Sequence, residues 1–351
     1  MKISSAIVLL LTSSICVSQE LQLRSTPAEV DAVENWVDSH LEEIVDTYKH
    51  FHANPELSFM ELKTSARVAK SWEAAGYEVK SGVGRTGVVG VLKNGEGPTV
   101  LIRGDMDALP VVEETGLPYG SKVEVKRPDG STVGAMHACG HDVHITMIVH
   151  MAEMLAELRD HWSGTIVMIA QPAEEIGRGT RAMIQDGLFD FAPKPDFCLA
   201  MHVIHNLPVG TVGVTPGWAF ANVDSVDITI YGKGGHGARP NAAVDPIVTS
   251  AHVITALQTI VSRRLNPTDP GVVTVGSIHG GSKHNIIPDE VKLQLTVRSY
   301  TDEVRQQLLD GIRQITTDIC KTMGCPKEPL IEVDEEEYTP AAYNDPELTS
   351  A

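Results

Sequence analysis

Apolar positions along this chain recur with a helical period in some stretches and an alternating period in others, and the changes between them mark its elements. Thr26-Pro27-Ala28-Glu29 reads as a helix start: a threonine cap, proline at the first helical position, and a glutamate placed to reach back to the cap. The pattern predicts a helix from there to about Phe51, stopping before Asn54-Pro55, and a second from Glu61 to Ala75, ending at Gly76. Tyr77–Lys80, Val88–Leu92 and Thr99–Arg103 predict strands, with Asn94-Gly95 turning between the last two. His141–Leu158 predicts a helix, Thr165–Ala170 a buried strand, Thr180–Gln185 a short helix before Gly187, and Phe197–Met201 another strand. Strands alternating with helices predict an α/β sheet.

After Pro216-Gly217 the pattern starts again. Asn222–Tyr231 alternates as a strand, Val244–Ser262 is helical, Gly271–Ile278 and Glu290–Arg298 are strands, and Asp302–Lys321 is helical. Two strand–helix–strand arcs predict a smaller α+β domain over residues 217–330, following a first domain over residues 20–216. Beyond Pro329, the acidic run Glu332–Glu337 reads as a solvated linker. At the other end, residues 1–19 read as a secretory signal: Lys2 supplies the positive start, Ala6–Leu11 the apolar run, and Ser13–Ser18 the small residues. That run is too short and too polar to span a bilayer, which needs about 20 apolar residues. Export is therefore expected, to the extracellular space or the secretory-pathway lumen. No later run is long and apolar enough to anchor the chain, so no membrane partner is expected.

Composition narrows the function classes. Of 351 residues, 42% are apolar and 21% charged, which excludes disorder, collagen and coiled coil. Lys and Arg number 28 against 46 Asp and Glu, a net charge of −18, and aromatics are only 5%. Repulsion from phosphates and few stacking rings argue against a nucleic-acid partner. Five cysteines are too few for a disulfide scaffold. Cys16 falls in the signal, Cys198 in an apolar run reads as a buried small residue, and Cys320 and Cys325 are close enough to bridge locally in an oxidising compartment. Histidines are where chemistry begins: His137, His141, His144 and His150 crowd into one stretch.

Gly82-Val83-Gly84-Arg85-Thr86-Gly87 fits a dinucleotide-binding glycine pattern. That pattern needs a helix after its last glycine to hold the pyrophosphate. Here Val-Val-Gly-Val-Leu follows, a strand, so these are turn glycines. More informative are three strand ends. Thr99–Arg103 runs into Gly104-Asp105-Met106-Asp107, Thr165–Ala170 into Gln171-Pro172-Ala173-Glu174-Glu175, and Phe197–Met201 into His202. In open α/β sheets the carboxyl ends of strands line the ligand crevice, so these acids and this histidine converge. A fourth segment, Met136-His137-Ala138-Cys139-Gly140-His141-Asp142, lies just before a helix. Thiolate, imidazole and carboxylate together are a ligand set for zinc-like or manganese- and nickel-type ions. Of the adjacent Glu174 and Glu175, one can bind metal while the other serves as general base. The aspartates of Gly-Asp-Met-Asp can hold ligand imidazoles from behind, whereas His144 and His150 read as packing or supporting residues. No Gly-x-Ser-x-Gly elbow, His-Glu-x-x-His helix or phosphate-binding loop offers a competing chemistry.

Gly104-Asp-Met-Asp-Ala-Leu-Pro110, His137-Ala-Cys-Gly-His-Asp142, Gln171-Pro-Ala-Glu-Glu175, Met201-His202 and Gly232-Lys-Gly-Gly-His-Gly237 stand in the order seen in the M20 metallopeptidases. The chain most resembles their amidohydrolase branch, the hippurate hydrolases and indoleacetyl-amino acid hydrolases, from about Val30 onward. The resemblance implies a mixed-sheet α/β catalytic domain with two divalent metal ions per subunit (Mn, Zn or Ni), and an inserted α+β lid that commonly forms a homodimer. It matches Cys139, His141, Glu175 and His202 to metal ligands, Glu174 to the general base and Asp107 to a supporting aspartate. It matches His236 to an oxyanion-stabilising residue of the lid, and Asn285 and Arg298 to lid residues near the substrate.

The activity so implied is hydrolysis of the amide bond of an N-acyl amino acid or small amino-acid conjugate, with Arg298 a candidate to grip the free carboxylate. Family members continue with a further catalytic segment bearing Gly-x-Glu-Asp-Phe and a final histidine ligand. Residues 331–351 correspond only to the start of that segment, and no histidine follows His284. The expectation is of a chain lacking the closing catalytic segment. The second function it admits is a secreted, non-catalytic relative that binds such ligands or metal without turnover.

Overall fold

Two sheets bury two separate sets of apolar side chains. The computed structural model describes residues 26–126, 130–336 and 338–350; the signal read at residues 1–19 lies outside them. Helix α1 (Pro27–Ala53) starts on the capping box. The Glu29 N–H donates to the Thr26 hydroxyl oxygen, and the Thr26 N–H donates to the Glu29 carboxylate at 2.6 Å. A cap of this kind stabilises a helix by about 1 kcal/mol. Helix α2 (Leu62–Ala74) is capped from a distance: the Glu56 carboxylate accepts from the Lys63 and Thr64 N–H groups. There follow β1 (Glu78–Val83), β2 (Gly87–Asn94), β3 (Thr99–Asp105), a small hairpin of β4 (Glu124–Lys126) and β5 (Thr132–Gly134), α3 (His141–Glu157), β6 (Gly164–Gln171), α4 (Gly179–Gln185), α5 (Leu188–Phe191) and β7 (Phe197–Ala200).

The first sheet is mixed, in the order β1-β2-β6-β3-β7. β1, β2 and β6 pair antiparallel, while β3 runs parallel to β6 and β7. Asn94-Gly95 turns between β2 and β3 as expected, but β6 lies between those strands, so this turn carries the chain across it. The turn residues report a reversal, but not which strand fills the gap. β6, with Val167, Met168 and Ala170 fully buried, is apolar on both faces and takes the central position. The hairpin is instead β1–β2, and its turn is the glycine run of residues 82–87, with φ of 79° at Gly82 and 63° at Gly84. One face of the sheet packs Phe51, Val68, Trp72, Ile145 and Ile148 from α1, α2 and α3; the other packs Met183 and Leu188 from α4 and α5. Cys198 is corrected from buried to exposed, because β7 is an edge strand with a single neighbour.

The second sheet follows β8 (Gly217–Phe220). It contains β9 (Asp224–Tyr231), and after the two-residue strand β10 (Gly235–His236) and helix α6 (Pro246–Thr259) come β11 (Gly271–His279), β12 (Ile286–Ile287), β13 (Glu290–Ser299), helix α7 (Asp302–Thr322), β14 (Leu330–Val333), β15 (Ala342–Asn344) and α8 (Pro346–Ser350). The antiparallel order is β11-β13-β9-β14, with α6 and α7 over the face carrying Val226, Ile228, Ile230, Leu293 and Leu295. Leu330–Val333 is therefore an edge strand, not part of a solvated linker. Its Ile331 and Val333 turn to the core while Glu332 stands opposite Asp227. β8 and β15, the chain's way into and out of this region, pair with each other. Among the described residues no helix is long and apolar enough to cross a membrane.

Candidate metal centre

Because β6, β3 and β7 are mutually parallel, their carboxyl ends share one edge. β3 delivers Asp105 and Asp107 there, the turn after β6 delivers Glu174 and Glu175, and the turn after β7 delivers His202. The turn leading into α3 brings Cys139 to the same place, and the helix brings His141, its first residue. Gly140 between them has φ of 81°, and a Cβ on it would lie 2.3 Å from Val203 Cγ2, so only glycine allows both the bend and the approach of the His202 loop. His141 is the hub. Its Nε2 lies 3.8 Å from Glu174 Oε2 and from Glu175 Oε1, and 3.7 Å from Asp105 Oδ1. Cys139 Sγ lies 3.5 Å from His202 Nε2. The donor atoms of Cys139, His141 and His202 fall within 4.8 Å of one another, and so do those of His141, Glu174 and Glu175.

The protonation pattern suits a cation. His141 Nδ1 donates to the Asp107 backbone carbonyl at 2.7 Å, which fixes the tautomer and leaves Nε2 facing the carboxylates. That Nε2 and Glu175 Oε1 are buried without a hydrogen-bond partner, an arrangement a metal ion would satisfy. Burial works against a charged His141 ring, but its hydrogen bond to Asp107 and the charges of Asp105, Asp107 and Glu175 outweigh it and raise the pKa to about 9. Burial and the charges of Glu175, Glu174 and Asp105 push the Cys139 thiol up to about 12. Burial also raises Glu175. Each shift reports negative charge crowded into a poorly solvated space, which a divalent cation would neutralise. Thiol, imidazole and carboxylate donors together fit such an ion.

Residues 101–351 match the family model described as Peptidase family M20/M25/M40. The chain belongs to this family. It is 38% identical over 325 residues to thermostable carboxypeptidase 2 of Saccharolobus solfataricus, covering 92% of this chain and 77% of that protein. It is 39% identical over 300 residues to the hippurate hydrolase of Campylobacter jejuni, covering 84% and 73%. Among solved structures it is similar to a Bacillus subtilis protein described as a dinuclear metal binding peptidase of the M20 family. That match has a TM-score of 0.71 and 32% identity, and covers 88% of this chain and 77% of the other. The M20 chain is thus a metal-binding hydrolase of amide bonds, with the mixed α/β fold of its relatives.

The residues behind the M20 cluster are only partly those the sequence pointed to. The Asp107 carboxylate stands behind the His141 ring, its Oδ1 3.7 Å from Nδ1, and does a second job as well. Its Oδ1 accepts from the Glu174 N–H at 2.9 Å, and its Oδ2 from the Glu175 N–H at 3.1 Å and the Ser58 hydroxyl at 2.6 Å. It fixes the backbone of the glutamate pair. Asp105 holds His144 at 2.6 Å, and His144 Nε2 accepts from the Val203 N–H at 2.9 Å, so the support reaches the loop of His202. Ser58 and Glu61 carried no signal in sequence, yet Glu61 is fully buried and accepts from the Ala173 N–H at 2.9 Å. His137 is buried with neither ring nitrogen hydrogen-bonded, and burial holds its pKa down to about 4, so it is a neutral ring behind the loop.

His236, Asn285 and Arg298 belong to the other sheet region. His236 pairs with Ile286 in the β10–β12 ladder, and the Gly237 N–H donates to the Asn285 carbonyl at 2.8 Å, so His236 and Asn285 are neighbours. Arg298 lies on β13 opposite Val272. Among the described residues no hydrogen bond links these three to the cluster around His141.

Proposed function

We propose that this M20 chain hydrolyses the amide bond of N-acyl amino acids or small amino-acid conjugates, releasing a carboxylic acid and an amino acid. The observation that carries the reading is the contrast within the glutamate pair. Glu175 is 16% exposed, with an unpartnered buried oxygen, whereas Glu174 is 37% exposed on the open side of the same cluster. Glu175 with Cys139, His141 and His202 holds divalent metal, two ions per subunit, of the Mn, Zn or Ni type. When bound, the ions would polarise the substrate carbonyl and lower the pKa of water so that it gives up a proton readily. Glu174 takes the proton from the attacking water and returns it to the leaving amine. Asp107 keeps both glutamates in position through their N–H groups. His236 would steady the oxyanion, with Asn285 and Arg298 near the substrate and Arg298 gripping its carboxylate. A homodimer through the second sheet region and export directed by residues 1–19 complete the proposal.

The test is a panel. Purified protein loaded in turn with Mn, Zn and Ni is assayed on hippurate and a range of N-acetyl amino acids. Turnover is expected with at least one metal. Glu174→Ala should reduce kcat about 10²–10⁴-fold while metal content stays unchanged. Metal binding without turnover on any substrate would assign the chain to the non-catalytic class instead, and an active Glu174→Ala variant would remove the assigned base.

A further inference from the structure

The carboxyl end of α7 is closed by two cysteines. The helix ends at Thr322, Met323 caps it, Gly324 takes the left-handed φ of 74°, and Cys325 follows. The Cys325 N–H donates to the Cys320 carbonyl at 2.9 Å, and the Gly324 N–H to the Lys321 carbonyl at 3.2 Å. These are the two hydrogen bonds of the Schellman motif. In that motif the residue three before the cap and the residue two after it pack side chain on side chain, usually as an apolar pair. Here both positions are cysteine. Cys320 is buried in the core of the second sheet, and Cys325 packs against the same core. The Cys325 thiol is a direct neighbour of the Cys320 thiol, and both are reduced. Disulfides need Cα atoms roughly 4.4–6.8 Å apart, and a hydrogen bond closing six residues with touching side chains imposes a separation of that order.

We propose that Cys320 and Cys325 form a redox modification site, closed to a disulfide by a small-molecule disulfide such as oxidised glutathione and locking the carboxyl cap of α7. Cys325, only half-buried, is the entry point. Its thiolate attacks one sulfur of the oxidant, forms a mixed disulfide and releases one glutathione thiol. The buried Cys320 then loses its proton and attacks the Cys325 sulfur, releasing the second. Two protein S–H bonds become one S–S bond, and the oxidant is reduced to two thiols. Burial and the adjacent thiol hold the Cys320 proton tightly, so closure quickens as pH rises. The lock acts on the helix covering the second sheet, so its effect falls on stability.

The test uses the full chain incubated with oxidised or reduced glutathione, alkylated and digested with trypsin. Cleavage after Lys321 separates the two cysteines, so closure joins peptide Gln314–Lys321 to Thr322–Lys327. The expected result is that linked peptide, together with a melting temperature a few degrees above that of the reduced protein. Cys325→Ala should show neither the linkage nor the rise. Both cysteines remaining alkylatable, or Cys325 staying a mixed disulfide beside a free Cys320, would overturn the proposal, provided the exposed Cys198 in the same sample is glutathionylated. So would a rise that survives in Cys325→Ala.

Discussion

His144 holds the loop that presents His202 without offering a nitrogen of its own. Its Nδ1 donates to Asp105, which Arg103 also grips at 2.6 Å, and its Nε2 is filled by the Val203 N–H. His144→Leu removes one of the partners of the buried Asp105 carboxylate, leaves the Val203 N–H without its acceptor, and frees the turn that carries His202. Metal affinity should fall about 10–100-fold, as found when groups supporting metal ligands are removed. Competition against a chelator of known affinity measures this, and an unchanged constant would mean that His202 needs no such support. A second histidine acts on stability. His52 contacts Asp142 at 2.7 Å and Glu113 at 3.0 Å, one through each ring nitrogen. Burial works against its charge, but the two carboxylates outweigh burial and raise its pKa above 6.5. A raised pKa stabilises the fold fully below the unfolded value of about 6.5, and the gain is lost as pH rises through the folded value. The urea midpoint of wild type minus that of His52→Gln should therefore shrink from pH 6 to pH 9; a constant difference would show that His52 stays neutral. The metal-facing residues were legible because motif order marks them. Ser58 and Glu61 were not, since their partners lie 49 and 112 residues away and nothing local about a serine or a helix-start glutamate announces them.

At the scale of elements, the turn after β6 is strained. Ala173 sits at φ of 49°, a conformation that costs a non-glycine residue roughly 1–3 kcal/mol. It is held there from outside: Glu61 accepts the Ala173 and Phe59 N–H groups and the Thr86 hydroxyl, while Asp107 accepts the next two N–H groups along the turn. Glu61→Ala strands three donors, those of Ala173 and Thr86 buried, and should destabilise the fold by about 2–4 kcal/mol, with kcat falling because Glu174 moves with the turn. Glu61→Gln keeps the acceptor for Ala173 and should recover most of both. Urea titration and steady-state kinetics on the pair separate the hydrogen bond from the charge; equal damage from both variants would assign the role to charge. Helices were the elements most readable in sequence, since α1 and α7 carry caps and long apolar faces. Pairing was not readable: β2 meets β6 at Val89 and Ile169, a partnership no local pattern encodes. β14 was hidden for a different reason. As an edge strand it needs only one apolar face, and its one glutamate, Glu332, reads as the start of a solvated run.

The described residues form two regions joined by a narrow strap. The buried cluster of the second region lies between Val226 and Cys320, and the two clusters on the faces of the first sheet lie between Phe51 and Ala192. The strap is the β8–β15 pair, where Trp218 and Tyr343 meet edge to face with ring centres 5.0 Å apart and the Asn344 amide donates to the Thr215 carbonyl at 2.8 Å. Beyond it, the regions touch through Arg178 with Glu336 and the Arg181 guanidinium donating to the Glu335 carbonyl. Exposed contacts of this kind contribute about 0–1 kcal/mol each. Little of the second region's stability therefore depends on the first, and residues 217–345 expressed alone should fold. Such a fragment keeps both pairing partners of the strap and all four strands of its sheet, so no apolar face is left open by the excision. It should unfold in one cooperative transition, with the denaturant slope expected of a domain its size. It should bind no metal at the Cys139–His141 centre, because every donor of that centre lies before residue 217. A broad, sloping transition would mean that the apparent boundary is only a crease in a single cooperative unit. In that case His236 and Asn285 would depend on the metal-binding region for their very fold, and mutations at their turn would lower the stability of both regions together.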